Sequence, residues 1–480
     1  MLNSIHSKTK IVCTLGPSSG SSEMIIQMIQ SGMDVARLNF SHGSEEDHLQ
    51  VLNNIRAAAQ QTGKAVTVLQ DLQGPKIRIG ELSTPFIELK MGDGIVITTD
   101  PVIGDQNRLS TTYANLGKDA RPGELVLLDD GKIRLRVLES RKSNVYCEVL
   151  VGGTLSAHKG LNLPGVHISA PSVTPKDLHD LEFGIRHDVD YIALSFVRTA
   201  QDIRELRKAI VDRIERNRFL PVIAKIEKPQ AIANIDEIVA EADGIMIARG
   251  DLGVELPPED VPLLQKMIIK KCNEAGKPVV IATQMLESMI NSPTPTRAEA
   301  SDVANAVLDG ADAVMLSGET SVGKYPLEAV RIMDRIISRV ESDSSRAVRV
   351  LDRPQTNIES RLDALGRSAC ILAEQMNAAA IVAVTHTGNT AKVLSHYRPG
   401  PKIIAITDRA KIQRRLNLLW GIHCMVVDDL DQDSDKALQA IQEKLVNSGA
   451  LTRGDYFVML AGQPFFARGS TNFIKVERVE

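Results

Sequence analysis

The chain has 480 residues, 43% hydrophobic and 24% charged, the balance of a globular protein with a large buried core rather than of a disordered or low-complexity one. At roughly 150 residues per domain, that length suggests about three domains. Lys+Arg 56 against Asp+Glu 60 leaves a net charge of −4, which argues against a polyanion-coating protein, and aromatic residues at 3% argue against a base-stacking platform, so no nucleic-acid partner is expected.

The opening residues, MLNSIHSKTK, contain no signal-peptide apolar stretch, and no apolar run approaches the roughly 20 residues of a bilayer span. A cytoplasmic protein without a membrane partner is expected. Short β-branched runs then alternate with amphipathic stretches. Strands are expected in TKIVCTLG from Thr9, DVARLNF from Asp34, VTVLQDL near Thr67, DYIALSFV from Asp190, PVIAKIE from Pro221, GIMIARGDL from Gly244, PVVIATQM from Pro278 and AVMLSGET from Ala313. Each is apolar on nearly every residue, as parallel strands covered by helices must be. Helical patterns such as SEEDHLQVLNNIRAAAQQ and PEDVPLLQKMIIKKCNEAG separate them, with capping signals at Ser44/Asp47 and Thr296/Glu299. Eight such units predict an α/β protein built on a closed (β/α)₈ TIM barrel.

The spacing breaks once, after the third strand. From 75 to 170 the pattern becomes alternating (FIELKMGDGIVITT, NVYCEVLVGG) with an Asp-Gly hairpin signal in ELVLLDDGKIRLRV. This reads as an inserted small β-barrel lid domain over the barrel mouth, leaving 1–74 and 171–345 as the barrel. From 346 to 480 an α/β alternation restarts, with strands in AIVAVT, KIIAIT, HCMVV and DYFVMLAG, and reads as a third, doubly wound domain. The five cysteines lie far apart without a CxxC pair, which fits buried, reduced thiols rather than disulfides or zinc.

Polar residues gather where the apolar runs end: Arg37, Asn39 and Ser41, Asp71, Lys225 and Glu227, Arg249 and Asp251, Thr283, and Ser317 with Glu319. A barrel would bring them to one face. Glu227 and Asp251 form an oxygen-only pair suited to Mg²⁺ or Mn²⁺ rather than zinc. Lys225, two residues before Glu227, shares its strand face and suits neutralisation of a transferring phosphoryl group. Arg37 suits multidentate capture of phosphate or carboxylate oxygens, and the amides of Gly250 and Asp251 suit a carboxylate. Residues alone stop at a Mg²⁺-dependent enzyme acting on a phosphorylated acid.

DVARLNFSHG, LQDLQGPKIRIG, KGLNLPG, AKIEKPQAI, GIMIARGDLGVELP, ATQMLESM, PTRAEASDVANAVLDGADAVMLSGETSVGKYP and HYRPGPKIIAIT resemble the pyruvate kinase family from Thr9 to near the C-terminus. The resemblance implies a barrel, a lid, a C-terminal regulatory domain and a homotetramer, with phosphoenolpyruvate and ADP/ATP as partners. By motif it implies that Lys225 and Arg37 meet the phosphoryl group and that Glu227 and Asp251 hold the divalent metal. Gly250, Asp251 and Thr283 would hold the substrate carboxylate, and Arg78 and Lys159, with Asn39 and His42 close by, would meet the nucleotide. Thr283 and Ser317 are the hydroxyls through which a proton could reach the enolate by way of water; the donor itself stays open.

Family members that require K⁺ hold it near residues matching Asn39, Ser41, Asp71 and the Leu72 carbonyl, beside a glutamate after the Gly-Pro. Here that position is Lys76, which resembles the K⁺-independent branch: an ammonium supplies the charge the ion would bring, so K⁺ is expected to be dispensable even if bound. In VTHTGNTAKV, Thr385, Thr387, Gly388, Asn389 and Thr390 sit at a strand-to-helix turn able to cradle a phosphate, and align with the family's effector loop. The tail AGQPFFARGSTNFIKV is short, which favours a monophosphorylated effector such as AMP or a sugar phosphate. Two other readings fit part of the pattern: a Mg²⁺-dependent lyase or aldolase, which has no nucleotide for Arg78 and Lys159 to hold, and a non-catalytic metabolite sensor, which intact Lys225, Glu227, Asp251, Thr283 and Arg37 oppose.

Overall fold

A computed structural model describes residues 7–166, 168–214, 219–343, 361–427, 434–462 and 471–480. Eight parallel strands close into a barrel in sequence order: Lys10–Thr14, Met33–Asn39, Thr67–Asp71, Tyr191–Leu194, Val222–Ile226, Gly244–Ala248, Val279–Ala282 and Ala313–Leu316. All eight expected strands are present. They are buried on both faces because helices cover the outside and side chains fill the inside: Val12, Val35, Leu69, Ile223, Met246 and Val280 belong to one interior cluster. The capping boxes at Ser44/Asp47 and Thr296/Glu299 form as expected, each fixing a helix start at the loop that leaves a strand.

The insertion carries its own core, with Ile79, Ile97, Leu109, Leu135 and Val145 fully buried. Its hydrogen bonding resolves into a six-stranded and a two-stranded sheet rather than the single small barrel expected, with bulges in the strand pair Ile133–Arg141 and Asn144–Val151. A bulge leaves a residue unpaired and bends its strand, which helps that pair curve around the core. The Asp-Gly hairpin is present between Leu125–Leu128 and Ile133–Arg141; Asp129, Asp130 and Gly131 all take positive φ in its turn.

The C-terminal sheet runs Ile422–Val426, Lys402–Thr407, Ala380–Val384, Tyr456–Gly462 and Thr471–Arg478, parallel except for the last strand. The expected boundary near 345 and half of the tail read as effector-related, 463–470, lie outside the described residues. This sheet domain seals the barrel floor, the end opposite the strand C-termini. Leu418 joins the barrel's interior cluster, and the buried Lys10 ammonium donates to the Ile422 carbonyl at 3.0 Å.

Arg398 carries much of that junction. Its guanidinium lies 3.0 Å from Asp312, donates to the carbonyls of Gly310 (3.0 Å) and Ala311 (3.2 Å), and stacks 4.8 Å from the Trp420 ring centre. Both side chains are under a tenth exposed, so breaking the pair leaves an uncompensated buried charge. Arg398→Ala is expected to destabilise the protein by about 3–5 kcal/mol, read as a lower thermal-unfolding midpoint. Arg398→Lys should recover only part, because an ammonium lacks the fork that reaches two carbonyls and a carboxylate together.

Candidate active site

The strand C-termini place a buried charge network at the barrel mouth. On the second strand Arg37 points inward and sets Nε and Nη2 each 2.7 Å from Asp71 Oδ2, at the end of the third strand, while Nη1 donates to Thr14 Oγ1 at 2.8 Å. Lys225 of the fifth strand takes the other side of the same carboxylate: Nζ lies 3.2 Å from Asp71 Oδ1, 3.0 Å from Glu227 Oε1 and 2.8 Å from Ser195 Oγ. Glu227 Oε2 accepts the Phe196 N–H at 2.7 Å. Residues 225 and 227 share a face because side chains alternate along a strand.

Burial opposes every charge here, and the partners decide which survive. Burial pushes the Asp71 carboxyl up, but Lys225 and Arg37 outweigh it and hold Asp71 below the ordinary carboxylate range. Burial likewise depresses Lys225, yet Asp71 and Glu227 more than offset it, so the ammonium stays charged. Glu227 goes the other way: burial, reinforced by the Asp251 charge, raises it despite Lys225. Two cations thus converge on one shared carboxylate, next to a pair of carboxylates that lack enough positive charge of their own.

That imbalance is what a divalent cation would correct. Glu227 and Asp251 supply two carboxylates, and no group of three or more His, Cys, Asp or Glu suited to a metal occurs among the described residues. Mg²⁺ or Mn²⁺ fits such a set, since each readily takes its remaining ligands from substrate oxygens and water.

The next two strands shape the adjoining rim. Gly250 and Asp251 open the helix Arg249–Glu255, so their amides lack helical partners. The Gly250 N–H donates to Thr283 Oγ1 at 2.7 Å, and a Cβ at Gly250 would sit 3.3 Å from that same oxygen. A side chain at 250 would crowd Thr283 and push the two segments apart by a few tenths of an ångström. Arg249 braces them, pairing with Asp302 at 2.7 Å and donating to the Thr283 carbonyl at 2.9 Å. Thr283 itself takes φ +67, a conformation a β-branched residue avoids, and Gln284 follows at +58. Such strain persists only where surroundings over-determine it, and it clusters at functional sites. Ser317 Oγ is buried and has no hydrogen-bond partner among the described residues, beside a Glu319 carboxyl raised by burial.

The insertion leans over this rim. Asn162 donates to Glu255 at 3.0 Å, and Glu255 also pairs with the buried Lys228. Between lid and barrel lies a narrow cleft lined by Lys76, Asp130, Phe196, Arg198 and Asp251. Its free volume, about 30 Å³, holds one or two waters. His42 registers the positive field at the edge: burial lowers it, and Arg78, Lys76 and Arg37 lower it further.

The expected residues therefore divide. Arg37, Asp71, Lys225 and Glu227 form one chain of contacts, and Gly250, Asp251 and Thr283 form the neighbouring rim. Asn39 and Ser41 follow Arg37 in one turn, where Asn39 Oδ1 accepts the Ser41 N–H at 3.2 Å. Lys159 is drawn aside to Asp129 at 2.8 Å, Arg78 donates to the His158 carbonyl at 2.9 Å, and the Leu72 carbonyl accepts Ser195 Oγ at 2.7 Å. Thr385, Thr387, Gly388, Asn389 and Thr390 lie far from the mouth, at the start of the helix Asn389–Tyr397. There the Gly388 N–H donates to Thr385 Oγ1 at 2.9 Å, and Thr390 meets Thr471 at 2.9 Å. Ser195, the Phe196 amide and Thr14 were missed by sequence reasoning. Ser195 alone had a signal, a polar residue at the end of the apolar run DYIALSFV.

Residues 6–330 match the family model described as pyruvate kinase, barrel domain, and residues 363–477 the one described as pyruvate kinase, alpha/beta domain. The chain is 46% identical over 471 residues to the pyruvate kinase of Geobacillus stearothermophilus, covering 98% of this chain and 80% of that one. It is 48% identical over 469 residues to that of Corynebacterium efficiens, covering 98% and 97%. A crystal structure of a pyruvate kinase from Cryptosporidium parvum superposes with a TM-score of 0.92 at 39% identity, covering 99% of this chain and 96% of the other. With two family models spanning most of its length and relatives this similar from end to end, the chain belongs to the pyruvate kinase family of phosphotransferases.

Proposed function

We propose that this chain transfers the phosphoryl group of phosphoenolpyruvate to ADP, giving pyruvate and ATP. The observation that carries the reading is Lys225, a charged ammonium held between Asp71, Glu227 and Ser195 within reach of the same carboxylate as Arg37. Phosphoryl transfer between two polyanions calls for fixed positive charge aimed at the oxygens of the moving group and for exclusion of water. Lys225 and Arg37 supply the charge, and a lid that swings supplies the exclusion. Amides at Gly250 and Asp251, with Thr283, lie where the substrate carboxylate would dock. Glu227 and Asp251 would hold Mg²⁺ or Mn²⁺, which bridges and neutralises phosphate oxygens when bound. Arg78 and Lys159 would turn from His158 and Asp129 to the nucleotide phosphates, with Asn39 and His42 at the edge. Ser317 Oγ, buried and with no partner among the described residues, and Thr283 would pass a proton through water to the enolate.

The domain reading divides the chain at 75, 171 and 346, with the last unit taking a monophosphorylated effector, AMP or a sugar phosphate, at Thr385, Thr387, Gly388, Asn389 and Thr390. A cytoplasmic homotetramer completes it; among the described residues no helix is long and apolar enough to cross a membrane. The test is pyruvate formation from phosphoenolpyruvate and ADP with Mg²⁺, in K⁺-free buffer and again with K⁺. Full activity without K⁺ is expected. No activity in either buffer, effectors included, would overturn the reaction.

A further inference from the structure

Where the insertion comes down on the barrel mouth it meets a buried ion pair with no part in the reaction as described above. Lys228 directly follows Glu227, and Glu255 ends the helix that Asp251 helps to open. The pair therefore ties together the two segments that carry the candidate metal carboxylates. Neither side chain is more than a tenth exposed. Lys228 Nζ also lies 5.6 Å from the centre of the Phe196 ring, whose backbone N–H holds Glu227. Burying two charges is costly unless their remaining hydrogen-bonding capacity is also satisfied. The insertion supplies a donor: Asn162 Nδ2 donates at 3.0 Å to Glu255 Oε1, the same oxygen that Lys228 meets.

Two further contacts bring the insertion onto the same ground. Gln230 Nε2, just past Lys228, donates to the Val166 carbonyl at 3.4 Å. A Cβ at Gly131, in the Asp-Gly turn, would lie 3.8 Å from the side chain of Val254, next to Glu255. Asn162 is in turn bonded to the residues around Lys159. The short strand Leu161–Asn162 pairs antiparallel with Leu127 and Leu128. The Asp129 N–H donates to the Gly160 carbonyl at 3.2 Å, and the Asp129 carboxylate pairs with Lys159. Arg37, Lys225, Gly250, Asp251 and Thr283, read as the contacts of the phosphorylated acid, all stand on the barrel, whereas Lys159 and Arg78 stand on the insertion. A contact between the two bodies therefore bears on the nucleotide first.

We propose that Asn162 and Glu255, the latter held by Lys228, are positioning residues that dock the insertion on the barrel and so place Lys159 for the nucleotide phosphates. The inference rests on the phosphotransfer reading above for the identity of that ligand. With the contact made, the nucleotide meets a cation already brought into place. Without it, part of the binding free energy goes into ordering the insertion.

The test compares the full-length parent with Asn162→Ala, Asn162→Asp and the double variant Asn162→Asp with Glu255→Gln. Steady-state KM is measured for ADP and for phosphoenolpyruvate, MgADP affinity by calorimetry, and folding by thermal unfolding. Asn162→Ala is expected to weaken MgADP binding and raise the KM for ADP about tenfold, the usual loss for a hydrogen bond to a charged group, with the KM for phosphoenolpyruvate nearly unchanged. Asn162→Asp sets two carboxylates against each other and should lose more. The double variant restores a donor opposite the new carboxylate and should recover part of that loss. Calorimetry needs no turnover, so a parent that binds MgADP yet forms no pyruvate counts against the reaction and not against the docking. The proposal is overturned by unchanged MgADP affinity in both Asn162 single variants, by an equal rise in both KM values, or by a folded double variant no better than Asn162→Asp.

Discussion

Replacing Lys225 with methionine is expected to stop catalysis and to weaken the fold in the same variant. In catalysis, the loss of one preorganised charge aimed at a transition state typically lowers kcat by 10²–10³-fold, and here the charge faces the moving phosphoryl group itself. In folding, the ammonium sits between two carboxylates that are each 1% exposed. Its removal leaves Asp71 with Arg37 alone and Glu227 with no cation, so a loss of about 3–5 kcal/mol follows near neutral pH. The pH dependence has a definite sign. Glu227 is already raised in the parent and rises further without Lys225, so the folded variant binds a proton that the unfolded chain has released. Stability then falls as pH rises above the ordinary carboxyl value, and the deficit shrinks on acidification as Glu227 becomes neutral. Steady-state kinetics and thermal unfolding at pH 5.5 and pH 8 measure both. Lys225→Arg separates the two effects, recovering stability through its charge while the bulkier, planar head leaves kcat low. A near-normal kcat in Lys225→Met discards the catalytic assignment; a stability deficit that ignores pH discards the electrostatic account of Glu227.

That prediction draws on a contact no sequence pattern displays. The eight barrel strands were legible because a strand buried on both faces has to be apolar along its length, and runs such as VVIA and IVC have no other use. The charged residues at their ends were legible for the complementary reason: a cation or carboxylate abutting such a run has to find a partner or a ligand. Which partner was not. Asp71 was read as a ligand for a monovalent ion, yet both its oxygens face cations, Arg37 on one side and Lys225 on the other, across strands two, three and five. Pairings between strands distant in sequence depend on barrel closure and on side-chain reach, and neither has a local signature. The lid shows the same limit. Its alternation and Asp-Gly turn were visible, but the bulges inside its longest strand pair are small shifts of register that no local pattern displays. The strained φ of Thr283 is imposed by its neighbours, through Arg249 and Gly250, and leaves no trace in ATQMLESM.

Changing Lys76 to glutamate is expected to convert the enzyme from K⁺-indifferent to K⁺-requiring. Lys76 lines the cleft with Asp251, and its charge already reaches the site, since it joins Arg78 and Arg37 in lowering His42. At an effective dielectric of 20 a unit charge several ångströms away is worth on the order of 2 kcal/mol, so withdrawing it should slow turnover about thirtyfold in K⁺-free buffer. Glutamate adds a negative charge where the ammonium was, and with Asn39, Ser41, Asp71 and the Leu72 carbonyl nearby it would favour a monovalent cation there. Two of those groups are already engaged, Asp71 by two cations and the Leu72 carbonyl by Ser195 Oγ at 2.7 Å, which is the basis for expecting the parent to work without the ion. Added K⁺ should restore most of the rate in Lys76→Glu while leaving the parent unchanged, and Lys76→Met, lacking both charges, should be slow with or without it. A parent enzyme that is inactive until K⁺ is supplied would show that the lysine does not stand in for the ion, and a Lys76→Glu variant as active as the parent in K⁺-free buffer would show that no positive charge is needed at that position.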